Sequence, residues 1–114
     1  MTDERKELGK IQKVWVGMGG YQDAMFGVGF TLGGQGWGVS DWWGFWSPSR
    51  MKRSEYAKWS EQERLCALTD TFVRLDALMK EAKVDDACKL AGIPIEIIFD
   101  GNTLTSWRIL SEVL

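Results

Sequence analysis

Acid–base chemistry in this chain would have to come from carboxylates and lysines, because there is no histidine. Histidine is the commonest base beside a hydroxyl or thiol nucleophile, and no Gly-x-Ser-x-Gly elbow is present. Among the acids, Asp23, Asp41 and Asp100 fall where the chain turns and read as turn formers, while Glu96 reads as a solvent-facing strand residue. A glycosidase-like pair drawn from these four would need a fixed separation in space. Cys66 and Cys88 lie in helical patterns without Cys-x-x-Cys spacing and read as small core residues rather than nucleophiles or ligands. With so few soft ligands, neither a zinc site nor any other metal or cofactor is expected. The glycine runs "GMGG" and "GGQGWG" lack both the dinucleotide-binding spacing and a Gly-Lys-Ser/Thr, so they do not read as phosphate loops.

The residues that remain are aromatic. "DWWGFW" carries Trp42, Trp43, Phe45 and Trp46. On a strand, alternation places Trp42 and Trp46 on one face with Gly44 between them, and Trp43 with Phe45 on the other. One pair joins the core and the second must be covered by something else: Trp15, Trp107, the N-terminal arm, a second copy, a partner or a ligand. Two rings across a glycine form a platform suited to a nucleobase, a sugar or a partner side chain. Arg50 or Arg108 would supply a cation beside it. The candidate binding residues are therefore Trp42, Trp43, Phe45 and Trp46 with Tyr21, Asp23, Arg50 and Arg108. Trp107 reads as core.

These residues must be positioned by a small set of elements. "IQKVWVGM" alternates as a strand over 11–18, with Val14, Val16 and Met18 on one face and Lys13 and Trp15 on the other. "AMFGVGFTL" has a continuous apolar face (Ala24, Phe26, Val28, Phe30, Leu32) and a nearly bare one with Gly27 and Gly29, across which Trp15 could lie. A turn at 33–36 leads to a third strand, kinked at Gly44. Ser60 and Glu63 form a capping box for a helix from Ser60 to about Lys83 with an apolar stripe of Leu65, Leu68, Phe72, Leu75, Met79 and Ala82. A short helix capped near Asp85 and stopped at Gly92 follows. A hairpin closes the chain, with strands at 94–99 and about 104–110 around Asp100, Gly101 and Asn102. The expected fold is α+β, in the order β-β-β-α-α-β-β, with a mainly antiparallel sheet and the long helix on one face.

At 114 residues, 45% hydrophobic and 26% charged, the chain reads as one folded domain over 1–114, with residues 1–10 as a flexible arm. The net charge of −2 argues against a nucleic-acid partner. The basic stretch Arg50, Lys52, Arg53 and Lys58 reads as a solvated connection. The charged N-terminus shows no signal sequence and no stretch approaches a membrane span, so a cytoplasmic location is expected, with no membrane partner.

Two stretches, "GGYQDAMFGVGFTLGG" with "GWGVSDWWGFW" and "LAGIPIEIIFDGNTLTSWRILSEVL", resemble a family of small uncharacterised proteins encoded by bacteriophages and prophages. The resemblance covers most of the chain and implies a phage setting, hence the host cytoplasm. Small acidic phage proteins often act by binding, including as inhibitors of host defence. The expectation is a non-catalytic binding protein that blocks a host component by docking on a protein or by sequestering a nucleotide-like small molecule. The alternatives are a structural or self-assembling accessory protein with an aromatic homo-oligomer interface and, less favoured, a carbohydrate-binding or carbohydrate-active protein.

Overall fold

The computed structural model describes residues 4–20, 24–47 and 59–114. The chain runs β1 (Glu4–Gly19), β2 (Met25–Gly34), β3 (Trp37–Trp46), α1 (Glu61–Ala82), a 3-10 turn (Ala87–Leu90), β4 (Pro94–Asp100) and β5 (Thr103–Ile109), then a 3-10 turn at Ser111–Val113. The strands form one antiparallel sheet ordered β3-β2-β1-β4-β5. The fold is α+β, with five strands and one α-helix among the described residues. The second expected helix is a single 3-10 turn: the Asp86 side chain accepts from the Cys88 amide at 2.8 Å, and the turn buries only Leu90.

β1 begins earlier than its alternation suggested. Residues 4–10, expected as an arm, pair with β4 from Glu4↔Asp100 to Lys10↔Pro94, whereas residues 10–19 pair with β2. The strand changes partners around a bulge between Ile11 and Lys13. A Cβ on Gly9 would come within 2.6 Å of the Gly33 carbonyl oxygen, so the crossing requires glycine there. β3 pairs with β2 across Gly44 without a register break, so no kink interrupts it.

The inner face of this sheet is the core. Phe30, Ile11, Leu32, Ile95, Ile97 and Ile109 are fully buried. The sheet rolls until its two edge strands meet on this side: Trp43 of β3 stacks on Trp107 of β5 (centroids 5.8 Å apart, planes 13°), and both pack on Phe30. Asp41 ties the two edges. One of its oxygens accepts from Trp43 Nε1 (3.2 Å) and Trp107 Nε1 (2.7 Å), and the other from the Trp42 amide at 2.8 Å. Asp41 is therefore an inward strand residue and not a turn former.

α1 starts at its capping box, with Ser60 Oγ accepting from the Glu63 amide at 3.0 Å, and ends at Lys83 in the left-handed conformation. Its buried residues are Thr71, Leu75, Leu78 and Ala82, and the last three join the core cluster beside Trp43. This corrects the expected stripe: Leu65 and Phe72 are about half exposed. Thr71 faces inward because its hydroxyl donates to the Ala67 carbonyl at 2.7 Å, which satisfies the polar group locally. Cys66 and Cys88 are both exposed, not core.

Candidate functional site

The opposite, outer face of the β1-β2-β3 half carries the second set of rings. The register aligns Trp15 with Gly29 and Gly29 with Trp42, so two indoles flank one glycine in a single cross-strand row. Their centroids are 6.4 Å apart with planes tilted by 41°. The next row is Gly17, Gly27 and Gly44. Glycine is required because the rings lie flat: a Cβ on Gly29 would collide with the six-membered ring of Trp15, and one on Gly19 would come within 2.8 Å of Trp42. The bare face of β2 that alternation foresaw is thus a bed for Trp15, while Trp42 lies against Gly19, Gly20 and Gly44.

Among the described residues these two rings are half-buried by the bed beneath them and not by another layer, since α1 packs on the inner face. They bound an open cleft of about 480 Å³ with Met18, Gly19, Gly20, Ser40 and Asp41. The Trp42 Nε1–H is buried beside Gly20 and Gly44 and has no acceptor among the described residues. Lys13 lies in the row next to Trp15, its Nζ 5.6 Å from that ring.

The sequence candidates divide accordingly. Trp43 and Phe45 are the buried inner pair, whereas Trp42 and Trp46 share the outer face, both half-buried. Tyr21, Asp23 and Arg50 lie outside the described residues, as does the basic stretch to Lys58. Arg108 does not reach the platform. It stands on β5 opposite Glu96, bonded to Glu96 at 3.1 Å and to Glu112 at 3.1 and 3.2 Å. The bonds to Glu112 and then Glu96 push its guanidinium further up, and the Arg108 bond holds the Glu112 carboxyl below its usual range. Glu96, expected to face solvent, is a largely covered partner in this cluster. Lys13 is the cation beside the rings instead. Alternation had already placed it with Trp15, but only the register shows which residues of β2 and β3 it faces.

The carboxylates do not converge. Asp41 is committed to three N–H donors, Glu96 to Arg108, and Asp100 sits at the exposed hairpin turn. Among the described residues no group of three Cys, Asp or Glu could hold a metal ion, and no helix is long and apolar enough to cross a membrane. No protein-family model, curated protein or solved structure matches the chain.

Proposed function

We propose that this protein is a non-catalytic binding module that takes a planar, nucleobase-like ligand on the outer Trp15–Trp42 face. The observation that carries this reading is the pair of tryptophans laid on glycine, on the face that α1 does not cover. Ring-on-ring stacking on such a platform is worth about 1–3 kcal/mol per base. In the phage setting implied by the sequence resemblance, the role is sequestration of a small host molecule, with inhibition of a host defence component as the outcome. Titration with nucleotides, cyclic dinucleotides and sugars tests it. Nucleotides should quench tryptophan emission and raise the melting temperature, and Trp42→Ala should remove both effects. No response from any nucleotide class would overturn it.

A second reading, self-assembly, rests on a different observation. Leu65, Phe72 and Val73 on α1 and Val16 on β1 are about half or more exposed, and large apolar residues left open are a feature of interaction surfaces. Light scattering that shows a concentration-independent dimer, disrupted by Phe72→Asp and indifferent to Trp42→Ala, would establish that reading.

A further inference from the structure

Along the outer face, one row away from the two indoles, the register aligns Lys13 with Thr31 and Thr31 with Ser40. This row differs from its aromatic neighbour in offering only polar groups: one ammonium and two hydroxyls. Among the described residues neither hydroxyl has a hydrogen-bond partner and Lys13 has no carboxylate partner, although Lys80 and Lys89 are each paired with the aspartate four residues earlier. Within the paired stretches 10–19, 25–34 and 37–46, every outward position is Lys, Thr, Ser, Trp, Met or Gly, with Gln12 in the bulge. Asp41, the acid of β3, is turned inward to Trp43 and Trp107. In a chain of net charge −2, the described residues of this half of the outer face therefore present no outward acid, since Asp41, which borders the cleft, has its carboxylate held by three N–H donors.

We infer that the Lys13–Thr31–Ser40 row is an anion subsite, and that the ligand of the aromatic platform is a free nucleotide whose phosphate rests on this row while its base lies on Trp15 and Trp42. The inference builds on the platform reading given above and adds the charge and orientation of the ligand. Same-face positions along a strand are roughly 7 Å apart, which suits the reach from a base across its ribose to a 5′-phosphate. An ammonium with two hydroxyl donors beside it is a suitable set for phosphate oxygens. Lys13 approaches Trp15 from the polar row, so a ligand that stacks on the ring brings its phosphate to the charge.

The test compares ribonucleoside 5′-monophosphates with their nucleosides by tryptophan quenching, using the full chain and the Lys13→Gln, Ser40→Ala and Trp42→Ala variants. The monophosphates should bind about tenfold more tightly than the nucleosides, as expected for a charge-assisted hydrogen bond. Lys13→Gln should abolish that difference, and Ser40→Ala should reduce it in part. Added salt should weaken the nucleotide alone. If nucleosides and nucleotides bind equally, or Lys13→Gln leaves the discrimination intact, the anion subsite is overturned while the platform stands. If neither class binds, or quenching survives Trp42→Ala, the platform reading falls, and this one with it. A single-stranded oligonucleotide that binds far more tightly than its mononucleotides would overturn the assignment of a free nucleotide.

Discussion

The molecule holds two tryptophan pairs of contrasting construction on the two faces of the same sheet. Trp43 and Trp107 are stacked within 13° of parallel, sit against Phe30, and give both indole N–H groups to Asp41. Trp15 and Trp42 are tilted by 41°, lie on glycine, and leave the Trp42 N–H without an acceptor among the described residues. Burying a donor unpaired costs about 1–3 kcal/mol. The first arrangement meets its polar needs and closes the sheet. The second costs stability at Trp42 and holds two rings at the surface, as sites kept for binding often do.

Substitutions should separate the two pairs. The largest effect belongs to Trp43→Ala, which should lower unfolding free energy by about 4 kcal/mol in urea titration. A smaller loss than that of Trp42→Ala would reverse the roles assigned to the faces. Asp41→Ala should cost roughly 3 kcal/mol, because two indole N–H groups lose their acceptor at once. Gly29→Ala should cost about 1–2 kcal/mol through forced displacement of Trp15, with a change in tryptophan emission and loss of ligand quenching. Trp42→Ala should cost only about 1 kcal/mol, since it removes half-buried ring surface and an unpaired donor together, yet it should eliminate binding. The smallest effect concerns acid. Arg108 holds the Glu112 carboxyl low, so this contact contributes stability above the ordinary glutamate value and loses it as pH falls through the lowered one. Thermal melts of Glu112→Gln should match wild type at low pH and fall slightly behind it near neutrality.

Much of this contrast can be read from the amino-acid order. Period-2 alternation in "AMFGVGFTL" separates Phe30 and Val28 from Gly27 and Gly29, and the same rule divides Trp42 from Trp43. The capping box at Ser60 and Glu63 and the hairpin at Gly101 and Asn102 rest on local hydrogen bonding, which is why they are legible. The residues that escape are those whose partners are distant in sequence. Asp41 reads as a turn former because nothing nearby reveals that Trp107 donates to it. Arg5 and Glu7 point to the same side as Ile97 and Phe99 but lie at the exposed end of the sheet, so charge there hides a strand. Thr71 reads as polar and is buried, whereas Phe72 reads as core and is half exposed, because which flank of a helix faces the sheet is decided by the edge strands it meets.

The pairing of β1 also orders events in time. Its second half can join β2 and β3 through short hairpin connections, but its first half has to wait for β4, near the far end of the chain: Glu4 meets Asp100 and Lys6 meets Ile98. Long-range pairing of this kind is slow to form. During synthesis the aromatic platform can therefore assemble first, on a three-stranded unit whose edge strand β1 still carries a free, highly charged overhang at residues 4–10. That overhang bears Arg5, Lys6 and Lys10 beside Glu4 and Glu7, and charge along an unpaired strand discourages it from pairing with another nascent chain before its own partner emerges.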